Sequence, residues 1–275
     1  MIENGYHGSS DVALCGARGK DRRGVPEGVA RDVTLVPLGD VAALTEAVEA
    51  RPDHFAAILI DLIPNKAGLI AQPPEFVAAA RALATRYGIA LIIDEVISLR
   101  LGACGLHGEY GITPDLLTTG KLIGGGFPVG AVAGREALMR ELDPARPDAI
   151  PQSGTFSGNP VSMAAGAESL RLLTPSVIAR MNALGEAART TVAERIAAAG
   201  WEMRGRGSLL RPFPNGATSY PPGVMHRLWW AAYARGLLLS PANLASLSSP
   251  MDAAVVADIA DRLADAVLEV AEAAA

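Results

Sequence analysis

Two short apolar runs, Ala56 to Ile63 and Ile89 to Asp94, are separated by a stretch that reads as a single helix. Pro73-Pro74 introduces that helix at about Glu75, and Gly88 is placed to end it after Tyr87. The interval is long enough for a right-handed crossover, which parallel neighbours require and a hairpin does not. The two runs are therefore expected to lie parallel in one sheet, with their carboxyl ends on a shared edge. In sheets of this kind ligands collect at that edge.

Further strands are expected at Asp115 to Gly120 and Val129 to Gly134, joined by a loop through Gly124-Gly125-Gly126-Phe127-Pro128. From Pro175 the pattern changes. Val177, Met181, Leu184, Ala188, Val192 and Ile196 mark one face of a long helix, and Val255, Val256, Ile259, Leu263, Val267 and Val270 mark a closing one. The Pro- and Gly-rich segment between them is expected to hold short strands, and the Ala-rich tail after Val270 a frayed helix end. The fold class is α/β, with a large domain over residues 1–175, built on a mostly parallel sheet, and a smaller α+β domain over 176–275.

Composition agrees with a compact enzyme-sized chain: 275 residues, half of them hydrophobic and 19% charged. The net charge of -5 and the lack of a dense basic run argue against nucleic acid as a partner. No stretch reaches the ~18 consecutive apolar residues of a membrane span, and the first 30 residues carry no apolar signal core. Cys15 and Cys104 form no C-x-x-C pair. These features lead to the expectation of a soluble cytoplasmic protein.

Several catalytic motifs fail on inspection. Gly120-Lys121 is followed by Leu122, and Asp115 stands where a phosphate-binding P-loop needs its first glycine. The glycines from Gly124 to Gly130 lack dinucleotide spacing and precede a strand. Ser157 in Gly154-Thr155-Phe156-Ser157-Gly158 falls one place too late for a nucleophile elbow. The four histidines are too dispersed for a zinc site.

What remains is Ile92-Ile93-Asp94-Glu95-Val96, an acidic pair at the end of an apolar strand, followed by Lys121 after a second strand. Taken alone, the first marks where a strand meets water and the second is a surface lysine. Together they supply the two groups a pyridoxal-phosphate enzyme needs: an amine to bond the cofactor, and an acid to keep its ring nitrogen protonated.

Four blocks in one order carry a resemblance. Asp94-Glu95-Val96, Thr113-Pro114-Asp115-Leu116, Thr119-Gly120-Lys121-Leu122-Ile123-Gly124-Gly125-Gly126-Phe127-Pro128-Val129-Gly130 and Ser153-Gly154-Thr155-Phe156-Ser157-Gly158-Asn159-Pro160 resemble the class III aminotransferases of pyridoxal-phosphate fold type I. Glutamate-1-semialdehyde aminomutase and the β-amino-acid transaminases look most similar. The resemblance implies that Lys121 is the Schiff-base lysine and general base, and that Asp94 partners the ring nitrogen of pyridoxal 5'-phosphate. Val96 and Tyr6 would flank the ring, with His7 in the aromatic segment Gly5-Tyr6-His7-Gly8 beside it. Gly154 and Thr155 match the segment that reaches the phosphate of a neighbouring subunit, which implies a homodimer with a shared active site. The activity implied is transfer of an amino group between an amino acid and a keto acid. The alternatives are an aminomutase and a non-catalytic relative acting as a subunit.

The sequence also departs from that family. Its members begin well upstream of the position matching Met1, with a Ser/Thr-Gly loop that holds the cofactor phosphate at a helix N-terminus. No counterpart occurs here, so a partial large domain is expected. Asp61-Leu62-Ile63-Pro64 stands where Glu-Pro is usual, and its effect is expected to be local. The run Asp94 to Leu101 lacks the Gly-Phe-Arg of the aminomutase, which favours transamination, and Arg100 is a candidate for binding a substrate carboxylate.

Overall fold

The computed structural model describes residues 1–16 and 22–273. They form two compact units, one of the described residues within 1–62 and 72–174, the other of those within 63–71 and 175–273.

In the first unit the apolar runs become β1 (Ala57–Asp61) and β2 (Ala90–Asp94), followed by β3 (Leu116–Gly120) and β4 (Gly130–Gly134), in the spatial order β1-β2-β3-β4. The first three are parallel and β4 returns antiparallel to β3. Helix Pro74–Tyr87 links β1 to β2 and buries Phe76, Val77, Ala80, Leu83 and Ala84. Those positions fall one turn apart, as a core-facing helix stripe requires. Gly88 ends it at φ 65°, a left-handed conformation that glycine adopts without steric cost.

Helix Pro160–Leu172 fixes the turn beyond β3. Asn159 caps it by accepting from Ser162 N at 2.9 Å. At Gly166 an added Cβ would lie 2.2 Å from the Ile123 carbonyl, and at Gly125 one would lie 2.3 Å from that of Ala165. Only glycines allow this helix and the 121–125 backbone to approach so closely, and the approach braces the segment that carries Lys121.

The second unit has an antiparallel sheet of β5 (Trp201–Arg206), β6 (Leu209–Pro214) and β7 (Ala245–Ser246), with helices Pro175–Ile196, Val224–Ala234 and Ala253–Glu272. Val192, Ile196, Leu228, Leu263 and Val267 are at the centre of its core. The short strands between the long helices are as expected, while helix Val224–Ala234 is an addition. Met181, Ala188, Val192 and Ile196 of the first long helix, and Val256, Leu263, Val267 and Val270 of the last, are buried as expected, with differences at the remaining positions. Ile178 and Gly185 replace Val177 and Leu184, and Val255 is exposed while Ala260 is buried. Small residues at close helix contacts carry no hydrophobic signal, which explains the offset: a Cβ at Gly185 would meet the Gly207 carbonyl at 2.1 Å. Of the Ala-rich tail, Ala274 and Ala275 lie outside the described residues. Among those described, no helix is long and apolar enough to cross a membrane.

Candidate active site

Register places the polar ends of β1 and β2 in one row with a polar residue from the middle of β3. Asp61 pairs with Asp94 and Asp94 with Thr118, at the carboxyl edge of the parallel strands. Paired positions in parallel strands direct their side chains to the same face, so these three are neighbours. Asp61 and Asp94 are both 6% exposed.

Asp94 is held as a carboxylate. His7 Nδ1 lies 2.7 Å from Oδ2, Val96 N donates to Oδ1 at 3.0 Å, and the Thr118 hydroxyl adds a further hydrogen bond. Burial pushes its pKa up, but these hydrogen bonds and the field of His7 outweigh it and leave the group below its ordinary value. The other ring nitrogen of His7, Nε2, is buried without a partner.

Lys121 opens the 3-10 turn Lys121–Gly124 directly after β3. Its φ of 49° is a left-handed conformation unusual for a residue with a side chain. Such strain persists where surrounding structure imposes it. Partial desolvation draws the ammonium pKa below its usual value, against the attraction of Asp94 and Asp61. A lysine whose ammonium is destabilised by burial releases its proton more readily than a solvated one.

Val96 packs beside this turn, its Cγ1 3.5 Å from where a Cβ on Gly120 would sit. Tyr6, whose neighbour His7 is bonded to Asp94, is 46% exposed. The structure thus gathers Asp94, His7 and Val96 at one edge with Lys121. Gly154 and Thr155 lie on the exposed loop before helix Pro160–Leu172. Among the described residues, no hydrogen bond joins them to Asp94 or Lys121. Gly154 instead lines a cavity of about 1050 Å³ with Thr119, Ile123, Val129 and Phe156. Arg100 occupies the 3-10 turn Ser98–Leu101, half-buried, and burial lowers its pKa.

Sequence reasoning missed two features. Asp61 belongs to the row, a fact readable from the aspartate that ends both β1 and β2. Glu95 is fully buried and accepts from Leu106 N at 3.1 Å and His107 N at 2.6 Å, which ties the loop after β2 back on itself. Nothing in the spacing of Glu95 and His107 signals that pairing.

A lysine amine, a buried hydrogen-bonded carboxylate and an aromatic on the adjoining loop suit the aldehyde, the ring nitrogen and the ring face of pyridoxal phosphate. The residues present fit that group.

Comparison with known proteins points the same way. A family model described as aminotransferase class-III matches residues 1–249. The glutamate-1-semialdehyde 2,1-aminomutase of Cytophaga hutchinsonii is 38% identical over 191 residues, which cover 66% of this chain and 44% of that protein. The chain spans less than half the length of the curated relatives it matches. An omega-transaminase from Sphaerobacter thermophilus matches with a TM-score of 0.90 at 34% identity, covering 98% of this chain and 67% of the other. A transaminase with PLP bound matches with the same score and identity, over 99% and 67%. The fold is that of the pyridoxal-phosphate-dependent transferases of fold type I, and the chain belongs to the class III aminotransferase family.

Proposed function

We propose that this chain serves a pyridoxal-phosphate-dependent aminotransferase that moves an amino group between an amino acid and a keto acid. The observation that supports this most is the meeting of a desolvated lysine, Lys121, with a hydrogen-bonded carboxylate, Asp94, at the carboxyl edge of a parallel sheet.

When bound, pyridoxal phosphate supplies an aldehyde for a lysine amine and a protonated ring that draws electrons from the substrate carbon. Asp94 would hold the proton on the ring nitrogen, since a carboxylate against a cation raises that cation's pKa by about 1–3 units. Lys121 would hold the cofactor through its amine and would serve as the base that takes a proton from the substrate carbon and returns it. Val96 and Tyr6 would flank the ring, Tyr6 with its aromatic face. His7 keeps Asp94 ionised. Gly154 and Thr155 would hold the phosphate of a neighbouring subunit in a homodimer. The free thiols Cys15 and Cys104 suit a reducing cytoplasm.

A second reading, an aminomutase that returns nitrogen to a neighbouring carbon, is favoured by the identity to the Cytophaga protein. It uses the same lysine and acid. Release of a keto product from an amino donor distinguishes transfer from rearrangement.

The test is borohydride reduction of the purified chain after incubation with pyridoxal phosphate, followed by mass mapping. The chain has three lysines, Lys20, Lys66 and Lys121. Label concentrated on Lys121, and lost in Lys121→Ala, supports the reading. Label spread over Lys20 and Lys66 sinks it.

A further inference from the structure

We infer that Glu95 is a positioning residue for the cofactor, one that holds both ends of the loop after β2 so that Asp94 and Val96 present a fixed surface to the ring. The inference rests on the reading of Asp94 and Val96 as residues beside the pyridoxal-phosphate ring.

Glu95 is fully buried and engages the chain through every polar group it has. Its N–H donates to Thr118 O on β3 at 2.9 Å, and its carbonyl accepts from Leu99 N at 3.1 Å, which starts the turn Ser98–Leu101. Its carboxylate accepts from Leu106 N at 3.1 Å, His107 N at 2.6 Å and His107 Nδ1 at 3.1 Å. One residue therefore anchors the loop to the sheet at its start and closes it at its end. The loop between has little slack, because Gly105 N donates to Gly102 O at 3.0 Å and a Cβ on Gly102 would lie 2.5 Å from Gly105 O.

The two adjacent carboxylates divide the work. Successive side chains of an extended chain point to opposite faces, so Asp94 turns to His7 and Thr118 while Glu95 turns to Leu106 and His107. Val96 follows, with its N–H on Asp94 Oδ1 at 3.0 Å and its methyl groups beside Gly120. With Glu95 held at both backbone groups and at its carboxylate, the residues on either side of it are fixed before any ligand arrives. The clasp calls for a carboxylate in particular. Three N–H groups converge on two oxygens, whereas glutamine has one acceptor oxygen and would turn its own amide hydrogens towards a donor. A buried N–H left unpaired favours rearrangement of the loop, and a bound ring tolerates little displacement of the groups around it.

The experiment separates positioning from plain stability. The purified chain is titrated with pyridoxal phosphate, and the dissociation constant is recorded together with the visible circular dichroism per bound cofactor, which reports the asymmetry of the ring's surroundings. Glu95→Gln is expected to reduce that dichroism and to weaken binding about tenfold. Glu95→Asp keeps the charge but falls one methylene short of the donors, and gives a second reading if the Gln variant does not fold. Asp115→Asn, at the opposite end of β3, is the control: it lowers stability and is expected to leave both readings at the parent values. Parent-like dichroism and affinity in the Glu95 variants overturn the positioning role and leave the site reading intact. A parent chain that gives no dichroism with the cofactor, and no borohydride label on Lys121, overturns both.

Discussion

His7 Nδ1 stands 2.7 Å from Asp94 Oδ2, with the two side chains 3% and 8% exposed. The carboxylate can only accept, so the proton in this contact belongs to Nδ1. A charge-assisted hydrogen bond out of water is worth roughly 1.5–3 kcal/mol, and its loss strands a buried carboxylate. His7→Ala is expected to raise the pKa of Asp94 and to weaken pyridoxal phosphate binding about tenfold. Absorbance titration with the cofactor checks it, and an unchanged affinity would remove His7 from the site.

Asp115 makes a pH-dependent contribution to stability. Its oxygens accept from Leu91 N at 2.8 Å, Arg81 Nη1 at 2.8 Å and Arg135 Nη1 at 2.9 Å. Burial pushes the carboxyl up, yet these three bonds prevail and bring its pKa to about 2. A depressed carboxylate stabilises the fold above its unfolded pKa of about 4, and that contribution is lost as the pH falls through about 2. Asp115→Asn is expected to cost about 2 kcal/mol at pH 7, with the gap to the parent closing toward pH 2. Urea unfolding at the two pH values measures both.

Gly105 is irreplaceable for a steric reason. An added Cβ would lie 2.1 Å from Glu95 Oε2, at a φ of 82° that disfavours side chains. Glu95 cannot yield without abandoning the N–H groups of Leu106 and His107. Gly105→Ala is expected to destabilise the chain by about 2–4 kcal/mol. Differential scanning calorimetry would show the fall in Tm; a shift under one degree would contradict the packing.

The left-handed backbone of Lys121 predicts an inversion of the usual helix-forming order of glycine and alanine. Lys121→Gly and Lys121→Ala should both abolish cofactor trapping. The glycine variant is expected to be the more stable by about 1 kcal/mol, because it relieves the strain that alanine retains. Equal unfolding midpoints for the two would show that the turn carries no strain.

The parallel pair, its linking helix and the helix stop at Gly88 were legible because apolar runs, prolines and glycine act locally. Asp94 and Lys121 were legible as a pair through the order of their motifs. The His7 to Asp94 bond was not, since 87 residues separate the partners and only the folded chain brings them together. Residues 63–71, which group with the second unit, were equally hidden. Their sequence continues from β1 without a marked break, and their assignment depends on contacts such as Arg211 with Asn65. Helix Pro175–Ile196 shows a further limit: Gly185 is buried for its smallness, which hydrophobic periodicity does not register.

Asp61, Asp94 and Thr118 owe their alignment to strand pairing. Pairing changes only in whole-residue steps, and a single step turns every side chain to the opposite face. The site therefore has no gradual way to deteriorate. Substitutions that weaken the β1–β2 ladder should reduce the number of competent molecules while each survivor keeps its full character, so that titrated site concentration falls and turnover per titrated site does not.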